Sequence, residues 1–436
     1  MPTTNSFTHK GWIFSIILLW LSWALLLIGF QNLATTRVKL LRPDHVIGWT
    51  PSETGITSQS DKIYLIQPFL NQLVSWDSEY YLSIALVGYD DPAIMVGYRK
   101  DSSPSPSYAF FPMYPMVIRA VYQVTKLLFL SPIAATTLSA VIVSLLGTLL
   151  AMISLYLLAL PHLGEEGAWR TVFYFLIFPS GFFLAQVYTE GLFTGLAFSS
   201  LVLIQHSGKH KWALWAAAIL AAMATLTRAV GISLTAAIAL QVLRNELEQK
   251  QINVWQWLKE LPRRFPWQAL LTAIGTMSIP VGTYLLWSAS IYGERFRLAE
   301  VWFGRGVLVF KETKEAVVSI FNALRGTGEA WQIGDPALSA LYFSLEAVAV
   351  LLALLGIIAC LRKYPTLAVF SFCAWIIPVF SGSPQSLVRY MLVLPTTFLF
   401  LGKLGNNRIF DRAWTIASLL LMGLLALLFS FDFWVA

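Results

Sequence analysis

The sequence predicts an all-α membrane protein that crosses the bilayer many times. Hydrophobic residues make up 57% of its 436 positions and charged residues only 12%, and a water-soluble globule of that composition would expose large apolar patches to water. Apolar runs of spanning or nearly spanning length recur along the whole chain. We therefore expect residues 1–436 to form one integrated transmembrane domain.

Eleven apolar runs are each bounded by charged residues, glycine or proline. They cover residues 11–30, 133–160, 168–184, 190–206, 212–226, 229–243, 267–291, 337–361, 365–380, 388–404 and 413–434. The first run has spanning length and no small-residue cleavage site, which predicts an anchor rather than a removed signal peptide. A further run, 113–130, carries Arg119, Gln123 and Lys126 at helical spacing, which is typical of an interfacial amphipathic helix.

Loop charges favour eleven spans over twelve, because Lys and Arg concentrate in cytoplasmic loops. Eleven spans with a cytoplasmic N-terminus place most of the loop Lys and Arg inside, whereas counting 113–130 as a span would place them outside. The C-terminus is then expected outside. Two long extracytoplasmic segments follow, 31–132 and 292–336, and segments of this length translocate largely regardless of their charge.

Several classes of function find no support in the composition. The net charge of +7 is scattered over short loops, which indicates membrane orientation rather than nucleic-acid binding. The two cysteines, Cys360 and Cys373, lie in apolar runs and predict neither a disulfide nor a metal site. The chain has no P-loop, dinucleotide fingerprint or nucleophile elbow. No histidine accompanies the outer acids, although a magnesium or manganese site built from carboxylates stays open.

The polar residues left unexplained by membrane insertion gather at the predicted outer face. They are Asp77, Glu79, Asp90 and Asp91 in the first long segment, Tyr188, Thr189 and Glu190 between the third and fourth runs, Thr227 and Arg228 between the fifth and sixth, and Arg389 and Tyr390 at the start of the tenth. Ionisable groups are costly in lipid, so such a cluster predicts a functional site.

Each charged candidate has a functional and a structural interpretation. Asp77, flanked by Trp76 and Tyr80, can be a general base, the N-cap of the helix that follows, or both. Arg228 and Arg389 either bind a phosphate or extend from helix ends to the interface. For Arg389 the irregular polar stretch just before it favours function. Glu190 begins a predicted span, where the helix dipole alone favours an acid.

The sequence resembles the PIG-V-like mannosyltransferases, relatives of the enzyme that adds the second mannose in GPI-anchor assembly and members of the GT-C class of membrane glycosyltransferases. The resemblance rests on short elements in a fixed order. They are Trp76-Asp77, Ile84-Ala85, Gly88-Tyr89, Ala109 to Pro115, Phe178 to Phe183, Tyr188 to Phe193, Thr227 to Gly231, and Arg389-Tyr390.

The resemblance implies a GT-C fold of about eleven transmembrane helices, with interfacial helices and the catalytic acid in the segment 31–132. It implies an inverting transfer of a sugar from a polyprenyl-phosphate monosaccharide to a hydroxyl of a lipid-linked or glycan acceptor at the extracytoplasmic face, without a metal or other cofactor. By the same resemblance Asp77 is the base. The other expected roles are acceptor-site or second acid for Glu190 and Glu79, donor-phosphate binding for Arg228, Arg389 and Tyr390, and lining of the site for Trp76, Tyr80, Phe111, Tyr114 and Tyr188.

Departures from the family pattern leave the sugar and the acceptor open. Ala229-Val230 follows Arg228 where the family element has an Asn, and Phe178 takes the place of another expected Asn. No Asn-x-Ser/Thr site occurs in the chain, which favours a bacterial plasma-membrane protein.

Two functions from other classes compete with the transferase. A carrier or flippase for a lipid-linked or anionic substrate would use the same arginines, but it predicts functional charges near the bilayer midplane and discontinuous helices in matching halves. A non-catalytic partner of a glycosyltransferase would keep the fold without needing both Asp77 and Glu190.

Overall fold

The regular structure is helical throughout the residues that this computed structural model describes. These are residues 11–38, 62–67, 69–95, 105–260, 265–293, 306, 308–325, 336–383 and 385–435. About half of the predicted long segment 292–336, and much of the first half of 31–132, lie outside the described residues.

The described α-helices, in chain order, range from one turn to twelve turns in length. They are α1 (Trp12–Arg37), α2 (Ile63–Ile66), α3 (Ser78–Leu86), α4 (Pro92–Met95), α5 (Met113–Thr125), α6 (Pro132–Leu176), α7 (Glu190–His206), α8 (Lys211–Thr225), α9 (Leu234–Lys250), α10 (Val254–Glu260), α11 (Trp267–Tyr292), α12 (Phe310–Leu324), α13 (Pro336–Cys360), α14 (Pro365–Val379), α15 (Leu387–Met391), α16 (Pro395–Leu404) and α17 (Arg408–Ser430). Short 3-10 helices cover Asn71–Leu73, Pro106–Ala109, Lys126–Leu128, Gly181–Ala185 and Ala229–Ser233.

Within these ranges, five helices are long and apolar enough to cross a membrane. They are Trp12–Arg37, Pro132–Leu176, Trp267–Tyr292, Ala340–Cys360 and Arg408–Ser430, with Lys211–Thr225 and Pro365–Val379 as shorter apolar helices. The eleven predicted spans fall mainly on helical segments, so the all-α membrane fold class is confirmed. The number of crossings stays a prediction.

Helix α6 contains the predicted span 133–160 and the first part of the predicted span 168–184, joined by a kink, and it ends at Leu176. Gly164 has a φ of +69°, a conformation that glycine adopts without a steric penalty. The chain then folds back on the first arm, because the Thr148 hydroxyl donates to the Leu184 carbonyl at 2.8 Å and the Ser144 hydroxyl to the Tyr188 carbonyl at 3.1 Å. The kink thus brings the start of α7 against the middle of the first arm.

Glycines allow α6 and α7 to pack backbone to backbone. A Cβ atom at Gly147 would lie 2.5 Å from the backbone of Gly191, and one at Gly195 would lie 2.5 Å from the Gly147 carbonyl. Small residues at such a crossing permit close helix contact in a membrane. The contact fixes Glu190, the first residue of α7, beside α6.

The first long segment forms a small helical layer with its own core. Buried Leu82, Tyr114 and Ile118 pack together where α3 and α5 meet α6. Helix α5 is amphipathic, as predicted for 113–130, with Tyr114 and Ile118 buried and Arg119 and Gln123 exposed. The Arg119 side chain donates to the Ala85 carbonyl at 2.6 Å, which satisfies the C-terminal end of α3.

Two predicted spans differ from the observed helices in ways that matter for the site. The run 388–404 is broken, since α15 ends at Met391 and α16 begins at Pro395. The run 413–434 ends early as a helix, because α17 stops at Ser430 and Asp432 takes a φ of +60°. The second interruption places the Asp432 carboxylate and the Phe429 and Phe433 carbonyls beside the first long segment.

Candidate active site

A cavity of about 400 Å³ lies where the first long segment meets the ends of α8, α14 and α15. Most of the sequence-predicted site residues line it: Trp76, Asp77, Glu79, Tyr80, Phe111, Arg228, Arg389 and Tyr390. Four charged side chains, Asp77, Arg389, Glu190 and Arg228, form a connected row at this cavity.

The Asp77 carboxylate faces the cavity and does not cap a helix. Asp77 occupies the position before α3, but its side chain accepts no capping hydrogen bond. One of its oxygens instead lies 3.3 Å from a terminal nitrogen of Arg389, and the side chain is 27% exposed. The N-cap interpretation of this side chain is therefore wrong, and the carboxylate is available to a bound molecule.

The turn that presents Asp77 is held from several sides. Trp76 has a φ of +54°, which is strained for an aromatic residue and costs on the order of 1–3 kcal/mol. The Tyr188 hydroxyl accepts from the Asp77 amide at 3.3 Å and donates to the Ser75 carbonyl at 3.1 Å. Strain of this kind persists only where the surroundings fix it, as they do here.

Arg389 connects the two acids of the row. Its Nε lies 3.4 Å from Glu190 while its terminal nitrogen faces Asp77. The guanidinium is largely buried and lies 5.0 Å from the ring centre of Tyr188 and 5.4 Å from that of Phe183. Cation–π contacts of this kind help to stabilise a buried arginine.

Glu190 and Arg228 form the buried end of the row. Glu190 is fully buried, its Oε1 contacts Arg228 directly, and its Oε2 has no hydrogen-bond partner among the described residues. Arg228 also donates to the Thr189 hydroxyl at 3.0 Å and lies 4.7 Å from the ring centre of Tyr390. A buried pair like this needs both members, since removing one leaves an uncompensated charge.

Aromatic side chains line the cavity next to the charged row. Tyr80 stacks on Phe110 at 4.6 Å, and Phe111 stacks on Trp287 of α11 at 4.8 Å. Tyr81 lines the cavity beside the acids. Burial, followed by the nearby Asp77 and Glu190 carboxylates, raises the pKa of Tyr81 well above its ordinary value. This phenol therefore stays protonated at neutral pH and can only donate or accept a hydrogen bond.

A comparison with known protein families decides the family of the chain. The family model described as mannosyltransferase (PIG-V) matches residues 23–259, more than half of the sequence. The chain belongs to the PIG-V mannosyltransferase family. The resemblance to the PIG-V mannosyltransferases seen in the sequence motifs is confirmed.

Two curated relatives are similar in sequence to this PIG-V family member. The chain is similar to GPI alpha-1,6-mannosyltransferase 2 of Cricetulus griseus, with 27% identity over 197 residues, and to the same enzyme of Mus musculus, with 27% identity over 198 residues. Each match covers 44% of this chain and 36% of the relative. The chain thus matches little more than a third of the length of these curated relatives.

Solved structures of membrane glycosyltransferases share a distant likeness with this PIG-V chain. The Archaeoglobus fulgidus oligosaccharyltransferase, in complex with Zn and sulfate, has a TM-score of 0.40 and 14% identity over 84% of this chain and 52% of that one. ArnT from Cupriavidus metallidurans, bound to undecaprenyl phosphate, has a TM-score of 0.38 and 14% identity over 98% of this chain and 78% of that one.

The family match includes only part of the charged row. Asp77, Glu190 and Arg228 lie within the matched residues 23–259, whereas Arg389 and Tyr390 lie beyond them. The structure brings both groups to one cavity, so the C-terminal part of this PIG-V chain completes a site begun by the matched part.

Some predicted site residues of the PIG-V chain lie behind the cavity wall. Tyr114 and Tyr188 are buried; the Tyr114 hydroxyl lies 2.8 Å from that of Ser144, and Tyr188 supports the Asp77 turn from behind. Glu190 likewise reaches the site through the two arginines rather than by lining the cavity. Glu79 lines the cavity and faces Lys62 at 3.9 Å.

The two other acids of the first segment have structural partners outside the site. Asp91 is buried and accepts hydrogen bonds from Tyr64 at 2.5 Å and Ser83 at 2.7 Å. Asp90 accepts from Tyr108 at 2.8 Å. Among the described residues no three His, Cys, Asp or Glu side chains form a metal-binding group, and the expectation of a metal-independent site stays a prediction.

Three residues that the sequence reasoning missed belong to the surroundings of the site. Tyr81 and Trp434 line the cavity. Glu346 lies within the apolar helix α13, where it accepts a hydrogen bond from the Val388 amide at 2.5 Å. An acid inside an apolar span is by itself a signal of function, and Glu346 could have been found on that ground.

Proposed function

We propose that the protein is an inverting glycosyltransferase, and specifically a mannosyltransferase, that uses a polyprenyl-phosphate monosaccharide as its donor. The acceptor is a hydroxyl of a lipid-linked or envelope glycan at the extracytoplasmic face. The observation that carries the proposal is the Asp77 carboxylate, which faces the cavity beside the buried Arg389 instead of capping α3. Membership in the mannosyltransferase family supports the reaction class.

The proposed reaction needs one base and one anion-binding group. The acceptor oxygen attacks the anomeric carbon of the donor sugar, its proton passes to Asp77, and the bond from the anomeric carbon to the phosphate oxygen breaks with inversion. The polyprenyl phosphate leaves as an anion, so no general acid is required. Arg389 and Arg228, with Tyr390 beside them, stabilise the charge that develops on the leaving phosphate.

The two arginines of the row give the site partners for an anionic ligand. The row contains two carboxylates and two guanidiniums, so their formal charges balance. Glu190 already contacts both arginines. Its role is therefore to position them rather than to bind the sugar. A phosphate that binds Arg389 replaces one anionic partner of the guanidinium with another. This replacement limits the cost of desolvating the guanidinium and the phosphate.

The positions of the charged residues also favour a transferase over a carrier. Glu190 begins α7, Arg228 follows the end of α8, and Asp77 precedes α3. The opposite ends of α7 and α8 carry Lys209 and Lys211, which the positive-inside rule assigns to the cytoplasm. The row therefore belongs at the extracytoplasmic ends of these helices, whereas a carrier needs a site accessible from both sides.

The test is sugar transfer by the purified protein into a native membrane extract, with radiolabelled polyprenyl-phosphate mannose and polyprenyl-phosphate glucose as donors. We expect transfer from the mannose donor that survives EDTA. In Asp77→Asn the rate should fall by roughly 10²–10⁴-fold, the usual contribution of a general base. Asp90→Asn is the matched control, because Asp90 lies in the same segment but pairs with Tyr108, and it should keep wild-type activity.

Three outcomes would count against parts of this proposal. Substantial activity in Asp77→Asn would remove the base role, and loss of activity in EDTA would remove metal independence. Binding of both donors without any product would favour the carrier, which transport of a labelled donor across proteoliposomes would then reveal.

A further inference from the structure

The segment that follows α17 folds back onto the turn that carries Asp77. The Ser75 hydroxyl lies 2.8 Å from the Phe429 carbonyl and 2.5 Å from an Asp432 carboxylate oxygen. The Trp76 indole donates to the Phe433 carbonyl at 3.4 Å. The last residues of the chain thus contact the two positions immediately before the proposed base.

Trp434 extends this contact to the other side of the cavity. Its ring meets that of Trp76 edge-on, with centroids 4.9 Å apart. Its indole nitrogen donates to the Tyr342 hydroxyl of α13 at 3.2 Å. Trp434 is half-buried and lines the cavity, so one side chain contacts both the Asp77 turn and a spanning helix.

Tyr342 in turn holds the helix that carries Arg389. Its hydroxyl accepts from the Ser386 amide at 3.1 Å, just before α15, and Glu346, one turn further along α13, accepts from the Val388 amide. These two bonds satisfy amide groups at the start of α15 that have no partner within the helix. Ser386 has a φ of +65°, a strained conformation that needs such support.

We propose that Trp434 is a positioning residue that sets the separation of Asp77 and Arg389. A continuous set of contacts runs from Trp76 through Trp434 and Tyr342 to Ser386, and it joins two turns that are more than 300 positions apart in the sequence. The inference rests on the proposed function, in which Asp77 takes the proton and Arg389 binds the leaving phosphate. A shift of about 1 Å between such groups can reduce a rate by about 100-fold.

The kinetic test uses two conservative substitutions that each remove one end of the Trp434–Tyr342 bond. Trp434→Phe keeps an aromatic ring beside Trp76 but loses the indole donor, and Tyr342→Phe loses the acceptor. We expect each to lower kcat about tenfold with the donor KM within about twofold of wild type. The double variant should be no slower than Tyr342→Phe alone, because both changes break the same link.

The matched control is Trp414→Phe in α17. The Trp414 indole nitrogen has no hydrogen-bond partner among the described residues and the residue does not line the cavity, so this change should leave kcat unaltered. The thermal unfolding temperature is measured for every variant. A loss of kcat that merely follows a loss of stability, or additive effects in the double variant, would overturn the proposal.

A second measurement does not depend on catalysis. Hydrogen–deuterium exchange should quicken in Trp434→Phe within peptides covering residues 75–82 and residues 385–391, and should not change in Trp414→Phe. Unchanged exchange in either peptide would contradict the link. If the wild-type protein transfers no sugar, the proposed function fails on its own, while the exchange result still decides whether Trp434 joins the two turns.

Discussion

Arg389 is the residue on which the two acids of the site converge. It reaches Asp77 with a terminal nitrogen at 3.3 Å and Glu190 with Nε at 3.4 Å. A planar guanidinium can serve two carboxylates at once because its donors point in different directions. The same geometry explains why a lysine could not replace it, since a single ammonium reaches only one of these positions.

We predict that Arg389→Lys weakens donor binding more than it slows the chemical step. The donor KM should rise about tenfold, because bidentate binding of a phosphate is lost while a positive charge remains. Initial transfer rates at varied donor concentration measure the change in donor KM and separate it from a change in kcat. Arg244→Lys is the control, since Arg244 pairs with Glu248 on the surface of α9, and an equal change in both variants would contradict the role of Arg389.

A second residue-level prediction concerns stability. Glu190→Ala leaves Arg228 and Arg389 buried near each other without their shared acid, and it should lower the free energy of unfolding by about 3–5 kcal/mol. Glu166→Ala removes a 90% exposed partner of Arg170. This substitution should change the free energy of unfolding by less than about 1 kcal/mol. Thermal unfolding in detergent compares the two variants. Similar unfolding temperatures would show that the buried row contributes little to stability.

Residue types were predictable from the sequence, but their roles depended on distances. The ordered short motifs identified Asp77, Glu190, Arg228 and Arg389 before any coordinates were considered. The choice between a base and an N-cap for Asp77 could not be made, because both use the same residue at the same position of a helix. The structure excludes a capping hydrogen bond from this side chain, which instead lies beside a residue 312 positions away in the sequence, and the base role stays a prediction.

At the level of elements, the contact between α6 and α7 determines where Glu190 lies. Their backbones touch at Gly147 and Gly191, and any side chain there would push the helices apart. The sequence showed these glycines inside apolar runs, where they also fit flexible or lipid-facing positions. Their significance depends on which helix packs against which, and hydropathy carries no information about that pairing.

We predict that Gly147→Ala disturbs the contact between α6 and α7 and thereby displaces Glu190 from the site. Its Cβ would lie 2.5 Å from the Gly191 backbone, so α7 must move and carry Glu190 with it. Overpacking of this kind costs about 1–3 kcal/mol, and transfer activity should fall as well. Gly282→Ala in α11 meets no atom within 4 Å and should be neutral in both assays. Equal transfer activity of Gly147→Ala and Gly282→Ala would contradict the role of the α6–α7 contact in positioning Glu190.

Broken helices were the elements that the sequence predicted least well. The apolar run 388–404 looked continuous, yet α15 ends at Met391 and a new helix begins at Pro395. The signal for the break was present, because Pro395 disfavours a helical conformation at the residue before it. The break could not be read from the apolar character of the run, because hydropathy predicts burial and gives no information about where backbone hydrogen bonding is interrupted.

For the whole molecule, the orientation in the membrane can be tested directly. We predict that a cysteine at position 90 reacts with a membrane-impermeant maleimide added to intact cells, whereas one at position 209 reacts only after permeabilisation. Asp90 belongs to the first long segment and Lys209 to the turn between α7 and α8. The background carries Cys360→Ala and Cys373→Ala. The reverse labelling pattern would place the site in the cytoplasm.

The contact at Gly147 also fixes where the site lies along α6. Gly147 lies fifteen residues after Pro132, the first residue of α6, and at 1.5 Å per residue this is about 22 Å along the helix. The start of α7, with Glu190, therefore packs against the interior of α6 rather than against its first turn. In a sugar transferase, water is the most abundant competing nucleophile, and a reaction centre enclosed by apolar helices keeps its concentration low. Enclosure of this kind would protect an activated sugar from hydrolysis until the correct hydroxyl arrives.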